Sequence, residues 1–161
     1  MNSTTAVGPS SEADMLAAIK AVNEMAAFNR WAGFEVTSAS AGAVELQMPW
    51  REEAGQYSGF LHAGLIGALI DTACGFAACT VAGRVLASHF AVRCLAPAVG
   101  HRFVARASVV KAGRRQVFTS ADLYCEDAGT GALTLVATGD AILVPVAASP
   151  PESSAQISKP A

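Results

Sequence analysis

One apolar stretch constrains the fold of this chain more than any other feature. Residues from Phe60 to Ala82 are almost all apolar or glycine, and Asp71 at the centre is the one charged residue. The stretch is long enough to cross a membrane, but a carboxylate at the bilayer centre costs about 3 kcal/mol, and basic flanks and aromatic belts are missing. We therefore interpret it as a buried central helix that runs from about His62 to Val81 and ends at Gly83.

The segment before this helix has apolar residues at the spacing of an amphipathic helix. The pattern predicts one helix that Ser11 caps and that continues to about Arg30, with Gly33 after it. The residues expected to face the core are Met15, Leu16, Ile19, Val22 and Met25 or Ala26.

Six further segments have the pattern of β-strands. In residues 43–50 apolar side chains alternate with Glu45 and Gln47, the period-two signal of a half-buried strand, and Ala41-Gly42 provides a turn before it. The four segments after the central helix are joined by short turn-forming sequences, which favours an antiparallel sheet that curls around that helix. The predicted strands are 34–38, 43–50, 85–95, 102–110, 116–125 and 134–144.

Length and composition indicate a single domain. The chain has 161 residues, of which 52% are hydrophobic and 15% charged, enough for a sizeable core. Residues 1–11 and 147–161 are predicted to be disordered tails around one domain at 12–146. The net charge of −2 gives no reason to expect nucleic acid as a partner. The first residues do not resemble a signal peptide, so we expect a cytoplasmic protein, and the sparse charge suggests that another subunit covers part of its surface.

The four cysteines show no CxxC pair and no metal-ligand spacing with a histidine. Their neighbours are apolar. We therefore expect reduced, buried thiols and no metal site. The residues concerned are Cys74, Cys79, Cys94 and Cys125.

Asp71 is the first candidate for chemistry, because it is the only acidic residue between Glu53 and Asp122. A lone carboxylate in an apolar helix costs several kcal/mol unless it is paired or faces a cleft. It is therefore either a structural carboxylate bonded to arginine, tyrosine or backbone donors, or a nucleophile or general base in a largely apolar pocket.

Positive charge is concentrated in the middle of the chain. Residues 54–121 contain seven basic residues against one acidic residue. An anionic ligand near the ends of the sheet and helix would explain this excess, and so would ordinary solvated positions at strand edges. The basic residues are Arg84, Arg93, Arg102, Arg106, Lys111, Arg114 and Arg115.

The start of the central helix is the third candidate. Free N–H groups at a helix N-terminus can bind an oxyanion or a polarised carbonyl oxygen, and the small residues Ala63 and Gly64 let a substrate approach them. His62 could cap the helix, pack against it or act as a catalytic acid. We favour capping and shaping over proton transfer.

The segment from Gln56 to Ala73, QYSGFLHAGLIGALIDTA, resembles the signature of hotdog-fold acyl-CoA thioesterases of the phenylacetate-degradation (PaaI) type. That signature has an amide residue, a short glycine-containing loop, His-Gly-Gly and an acidic residue about nine positions after the histidine. Residues 95–98 and 110–115 resemble two later turns of the same family, so the resemblance covers about residues 15–145. It implies an α+β hotdog fold, with an antiparallel curved sheet wrapped around a long central helix.

The resemblance implies roles for the matching positions. Asp71 corresponds to the nucleophile or general base, and Gln56 to the amide residue that orients the attacking water. The backbone N–H of Ala63 corresponds to the donor to the thioester carbonyl, and Gly64 to the third position of His-Gly-Gly, after His62. Alanine at 63 departs from the family's glycine: it keeps the N–H group but narrows the pocket.

Two other regions match less closely. Arg114 and Arg115, with Gly113 beside them, fall where such proteins often contact the nucleotide part of coenzyme A. The hydroxyl that some relatives carry on the next strand falls at Ala87, beside Ser88, which leaves a role for Ser88 open.

The resemblance thus implies a thioesterase that hydrolyses an acyl- or aryl-CoA to the free acid and coenzyme A, with no cofactor besides the coenzyme A of the substrate. A non-catalytic acyl-CoA-binding or regulatory protein and an enoyl-CoA hydratase are alternatives on the same fold. Family members form homodimers, often paired into homotetramers. Helix geometry also favours a shared site, because Ala63 and Asp71 lie about 12 Å apart along the helix and cannot easily serve one substrate carbonyl.

Overall fold

The computed structural model describes residues 11–147. The predicted tails lie outside these residues, apart from Ser11 and Ala147. The helices are α1 (Glu12–Met25), α2 (Ala27–Ala32) and α3 (Ala63–Ala82), with a short 3-10 turn at Glu52–Ala54. The strands are β1 (Glu35–Ser40), β2 (Ala43–Pro49), β3 (Val85–Cys94), β4 (Arg102–Ala112), β5 (Val117–Glu126) and β6 (Leu133–Pro145).

The six strands form one antiparallel sheet, which confirms the predicted architecture. Their order in the sheet, which the sequence did not predict, is β1-β2-β4-β5-β6-β3. The sheet curves around α3, whose inner side is fully buried against it. By length and composition α3 is the one helix within residues 11–147 that could cross a membrane, and more than half of it is buried inside the protein. Its core residues are Leu65, Ile66, Leu69, Ile70, Ala73, Cys74, Phe76, Ala77 and Ala78.

The N-terminal helix differs from the prediction. Ser11 caps α1 as expected, by accepting a hydrogen bond from the N–H of Asp14, but the helix breaks at Ala26 instead of continuing to Arg30. Two asparagines explain the break. Asn23 Nδ2 donates to the carbonyl oxygen of Phe34 over 2.8 Å, and Asn29 Nδ2 donates to Asn23 Oδ1 over 3.0 Å, both in the protein interior.

These amides fix α1 and α2 against the start of β1. They also change the buried side of α1. Val22 was predicted to face the core, as was Met25 or Ala26, but Val22 is exposed, and of the second pair Met25 is 81% exposed while Ala26 is half-buried. Asn23 is buried instead. The prediction failed here because Asn23 and Asn29 can be buried once their side chains are hydrogen-bonded, and they take the interior positions in place of apolar side chains.

The cysteines depart from expectation at one position. Cys74 and Cys125 are buried, and burial raises the pKa of each thiol to about 11. Cys79 is half-buried, but Cys94 is exposed at the end of β3, contrary to the prediction. All four are free thiols, and the described residues contain no group of three or more residues placed to hold a metal ion.

β3 lies at one edge of the sheet, with β1 at the other, and it pairs with β6 on one side only. Leu86 and Phe90 in this strand are 65% and 48% exposed. An open edge strand with large apolar side chains is a surface that proteins normally cover.

Candidate active site

The loop before α3 is held on two sides. The N–H of Leu61 donates to the carbonyl of Ala98, and the N–H of His62 donates to the carbonyl of Ala54. Within the loop, the N–H of Gln56 donates to the carbonyl of Phe60 over 2.8 Å. Gly59 allows the tight turn, because its φ of +78° is in the left-handed region that favours glycine. The first residues of α3 therefore start from a fixed position.

His62 is the N-cap of α3. Its Nδ1 accepts a hydrogen bond of 2.9 Å from the N–H of Gly64. The N–H of Ala63, in contrast, has no hydrogen-bond partner among residues 11–147. The helix start thus leaves one backbone donor available, at its positive end.

A cleft of about 560 Å³ opens at this helix start. The structure brings Gln56, His62 and Ala63 together on its wall. The segment that follows β3 also lines the cleft, and the sequence analysis had assigned it no functional role. The lining residues are Gln56, Tyr57, Phe60, Leu61, His62, Ala63, Ile66, Cys94, Leu95, Ala96, Pro97 and Ala98.

Gly64 lies outside this cleft and lines a smaller one on the other side of His62. Phe28 and Trp31 form its apolar wall, and the Arg51 guanidinium lies 5.0 Å from the centre of a Trp31 ring. Sequence reasoning missed these aromatic residues, because their exposure depends on the break at Ala26, which the apolar pattern did not indicate.

The Gln56 side chain is partly engaged in its own loop. Its Oε1 accepts a hydrogen bond of 2.5 Å from the N–H of Ser58. Its Nε2 has no partner among the described residues, so this amide group can donate to a water or a substrate in the cleft.

Asp71 is half-buried, two turns further along α3, and does not line the cleft. Neither carboxylate oxygen has a hydrogen-bond or ion-pair partner within residues 11–147, and Oδ1 is fully buried. Burial raises the pKa of this carboxyl. The structural alternative, a carboxylate bonded to arginine, tyrosine or backbone donors, therefore has no support in this part of the chain.

The side of α3 that carries Asp71 is only partly covered. Gly67, one turn before Asp71, lies beside the exposed ring of Phe90 on β3, since a β-carbon at Gly67 would be 3.5 Å from Cε2 of that ring. Small or short side chains continue this partly exposed stripe along the helix. They are Ala68, Thr72, Gly75 and Cys79.

Arg114 and Arg115 lie far from the cleft of their own chain. They occupy the turn between β4 and β5, where the N–H of Gly113 donates to the carbonyl of Gln116. The helix start is held at the other end of these strands, about 33 Å away along the eleven residues of β4. Ser88 lies at an irregularity of β3, and its hydroxyl donates to the carbonyl of Ile142 on β6.

The excess of basic residues in the middle of the chain is partly neutralised by carboxylates from other parts of the sequence. Arg93, Arg102 and Arg106 pair with Asp140, Glu126 and Glu45 respectively, acidic residues that lie outside the 54–121 segment. The other four basic residues have no ion-pair partner among residues 11–147.

Comparisons with known proteins agree with this architecture. The thioesterase superfamily model matches residues 58–132. A thioesterase family protein from Silicibacter pomeroyi is 34% identical, with a TM-score of 0.75 over 78% of this chain and 93% of that chain. Among the curated proteins none matches.

Two more distant structures share the fold. The PaaI protein of the E. coli phenylacetic acid degradation operon is 19% identical, with a TM-score of 0.71 over 79% of this chain and 89% of that chain. Zebrafish thioesterase superfamily member 2 is 24% identical, with a TM-score of 0.69 over 84% of this chain and 99% of that chain.

Proposed function

Because this chain belongs to the thioesterase superfamily and has its hotdog fold, we propose that it hydrolyses an acyl- or aryl-CoA thioester to the free acid and coenzyme A. One observation carries the proposal: the unpartnered N–H of Ala63 lies at the positive end of α3, in a cleft that Gln56 also lines. A donor in this position can bind the carbonyl oxygen of a thioester and stabilise the negative charge that develops on it.

In the proposed reaction, the Gln56 amide orients a water molecule, which attacks the thioester carbon. The Asp71 carboxylate accepts a proton from this water, or attacks the carbon itself to give an anhydride that water then cleaves. The carbonyl oxygen becomes an oxyanion held by the Ala63 N–H. Collapse of the intermediate breaks the carbon–sulfur bond, and coenzyme A leaves as a thiolate that needs little help from an acid.

This mechanism needs two chains. Ala63 and Asp71 are about 12 Å apart along α3, whereas an attacking group must lie about 3 Å from the carbon it attacks. Asp71 also lies outside the cleft of its own chain. We therefore propose a homodimer, in which Asp71 of the partner subunit completes the site, and further assembly of dimers into a homotetramer in the cytoplasm.

The open surfaces of the chain fit a two-fold dimer. The free edge of β3 and the partly exposed stripe of α3 lie side by side, since Gly67 is next to Phe90. A two-fold axis perpendicular to the sheet would pair β3 antiparallel with its copy and bring the two α3 helices together on the same face.

One position of the two-fold axis suits both α3 and β3. The midpoint between Ala63 and Asp71 along α3 is Gly67, and Gly67 lies against Phe90, at the middle of β3 (Val85–Cys94). An axis through this point would place Asp71 of the partner subunit beside Ala63 and at the same time pair β3 over its whole length.

The direct test is thiol release from a panel of acyl- and aryl-CoA substrates, with Asp71→Asn as the comparison. We expect hydrolysis of at least one substrate and a decrease in kcat of about 10² or more in the variant, without loss of folding. Binding of acyl-CoA without thiol release would favour the non-catalytic alternative, and hydration of an enoyl-CoA would favour the hydratase. An Asp71→Asn variant within about threefold of the wild-type kcat would rule out the assigned role of Asp71.

A further inference from the structure

We infer that Arg84 binds the phosphate groups of coenzyme A in the cleft of the opposite subunit. This inference rests on the proposed function and its dimer. Arg84 lies directly before β3 and is not part of the signature that identifies the family, so its assignment depends on its place in the fold.

Arg84 belongs to a group of unpaired cations. Of the seven basic residues in the middle of the chain, Arg84, Lys111, Arg114 and Arg115 have no ion-pair or side-chain hydrogen-bond partner among residues 11–147. They are exposed, and they lie where β3 begins and where β4 turns into β5.

These two places are at the same end of the sheet. Val85 at the start of β3 pairs with Pro145 of β6, and Leu143 of β6 pairs with Val117 at the start of β5. The segments that meet there, 83–85, 111–117 and 143–147, contain no aspartate or glutamate. The described chain thus has one sheet end with four cations and no neutralising carboxylate within these segments, an arrangement suited to a polyanion.

In a single chain this cationic end lies opposite the cleft. The proposed two-fold axis reverses that relationship. Ser88 is an extra residue in β3, so one position fewer separates Arg84 from the axis than the residue numbers suggest. If Phe90 lies at the axis, Leu95 faces Arg84 of the partner subunit, and if the axis lies between His89 and Phe90, the facing residue is Cys94. Both Cys94 and Leu95 line the cleft, so either register places the guanidinium beside it.

The chemistry of the ligand fits this position. Coenzyme A carries a pyrophosphate and a 3′-phosphate on the nucleotide, beyond the pantetheine arm that reaches the reacting thioester. Arg84 can bind a phosphate through two N–H groups at once. Arg114 and Arg115 of the same partner subunit lie two to three strands further, about 10–15 Å along the sheet end, where they can contact the remaining phosphates.

The first test is equilibrium binding of coenzyme A itself, which does not require hydrolysis. We expect Arg84→Ala to raise the Kd about tenfold, and Arg84→Lys to raise it less, because lysine keeps the charge but loses the bidentate contact. Lys20→Ala, the loss of an exposed cation on α1, is the matched control and should leave the Kd unchanged. Equal effects of Arg84→Ala and Lys20→Ala would overturn the inference.

The second test shows which subunit supplies the arginine. In a mixed dimer of an Asp71→Asn chain and a Gln56→Ala chain, the one intact site has the cleft of the first chain and Asp71 of the second. Arg84→Ala added to the second chain should raise the KM for acyl-CoA about tenfold, whereas the same change in the first chain should not. A pantetheine thioester, which lacks the nucleotide phosphates, should show no difference between the two.

The outcomes separate the two proposals. Mixed dimers with no recovered activity would contradict the shared site of the proposed function, while the Kd of coenzyme A would still test the phosphate contact. Recovered activity with the KM raised only when the first chain carries Arg84→Ala would place the arginine in its own subunit and overturn the inference. An equal KM from both arrangements would also overturn it.

Discussion

Ile70 on α3 rests on the backbone of Gly139 in β6. A β-carbon at Gly139 would lie 2.5 Å from Ile70 Cγ2 and 2.7 Å from the carbonyl oxygen of Ala91 in the neighbouring strand. Neither neighbour can move away easily, since Ile70 is fully buried and Ala91 is part of the sheet. The helix therefore sits against the sheet at a distance that only glycine permits at this position.

Gly139→Ala is expected to destabilise the fold. Because the added methyl group overlaps a buried side chain and a backbone oxygen, the free energy of unfolding should fall by about 1–3 kcal/mol. Urea denaturation measures the change. Gly129→Ala is the matched control, since a β-carbon there meets only Asp127 Oδ1 at an ordinary 3.5 Å. A similar loss in both variants would contradict the close approach of α3 to β6.

Asp71→Asn is expected to stabilise the protein at neutral pH. Burial raises the pKa of Asp71 in the folded state, so the folded protein binds this proton more tightly than the unfolded chain does. The contribution of Asp71 is therefore most favourable below its unfolded pKa, and it is lost as the pH rises through the folded pKa. The stabilisation by asparagine should accordingly grow across that window, in urea denaturation at fixed protein concentration.

Asp127 provides the control of opposite sign. Hydrogen bonds from Thr130, through its side chain and its backbone, and from Gly129 lower the pKa of Asp127. Asp127→Asn should therefore cost most stability above the unfolded pKa of this group, and the cost should vanish as the pH falls through the lower folded value. If the two variants showed the same pH trend, burial would not be the dominant influence on Asp71.

Two inactive variants should restore activity to each other. Asp71→Asn and Gln56→Ala, unfolded and refolded together in equal amounts, give about half mixed dimers, each with one intact site of two. Roughly a quarter of the wild-type rate of thiol release should return. Refolding each variant alone is the control. A mixture that exchanges subunits and recovers no activity would place the whole site within one chain.

Removal of Arg114 and Arg115 should weaken substrate binding and leave the chemical step intact. The double variant Arg114→Ala/Arg115→Ala should have a higher KM for acyl-CoA and a similar kcat, with little effect on a pantetheine thioester that lacks the phosphates. Steady-state kinetics on both substrates measure these changes in KM and kcat. An equal effect on the two would exclude phosphate binding by this turn.

The architecture could be predicted because its signals are local. The apolar stretch predicts α3 to within a residue or so at each end, and alternation with intervening turns predicts all six strands closely. The break at Ala26 could not be predicted, since it depends on hydrogen bonds between Asn23, Asn29 and Phe34 that exist only after the helices fold back.

That some candidate residues share a cleft was predictable for the same reason. Gln56, His62 and Ala63 are close in sequence, so the loop and helix start that bring them to one cleft are visible in the chain. The order of strands in the sheet is not local, and it alone places β3 at the edge and the segment after it on the cleft wall. Likewise, the sequence could not show that Arg93, Arg102 and Arg106 meet distant carboxylates.

The two turns of helix between Ala63 and Asp71 have a kinetic consequence. If each site takes one group from each chain, a single subunit has no activity at all, and the rate per chain depends on how much of the protein is associated. On dilution through the dissociation constant of the dimer, specific activity would fall towards zero instead of staying constant. The proposed activity would then depend on the abundance of the protein itself: at low expression the total rate would rise with the square of the amount of protein made.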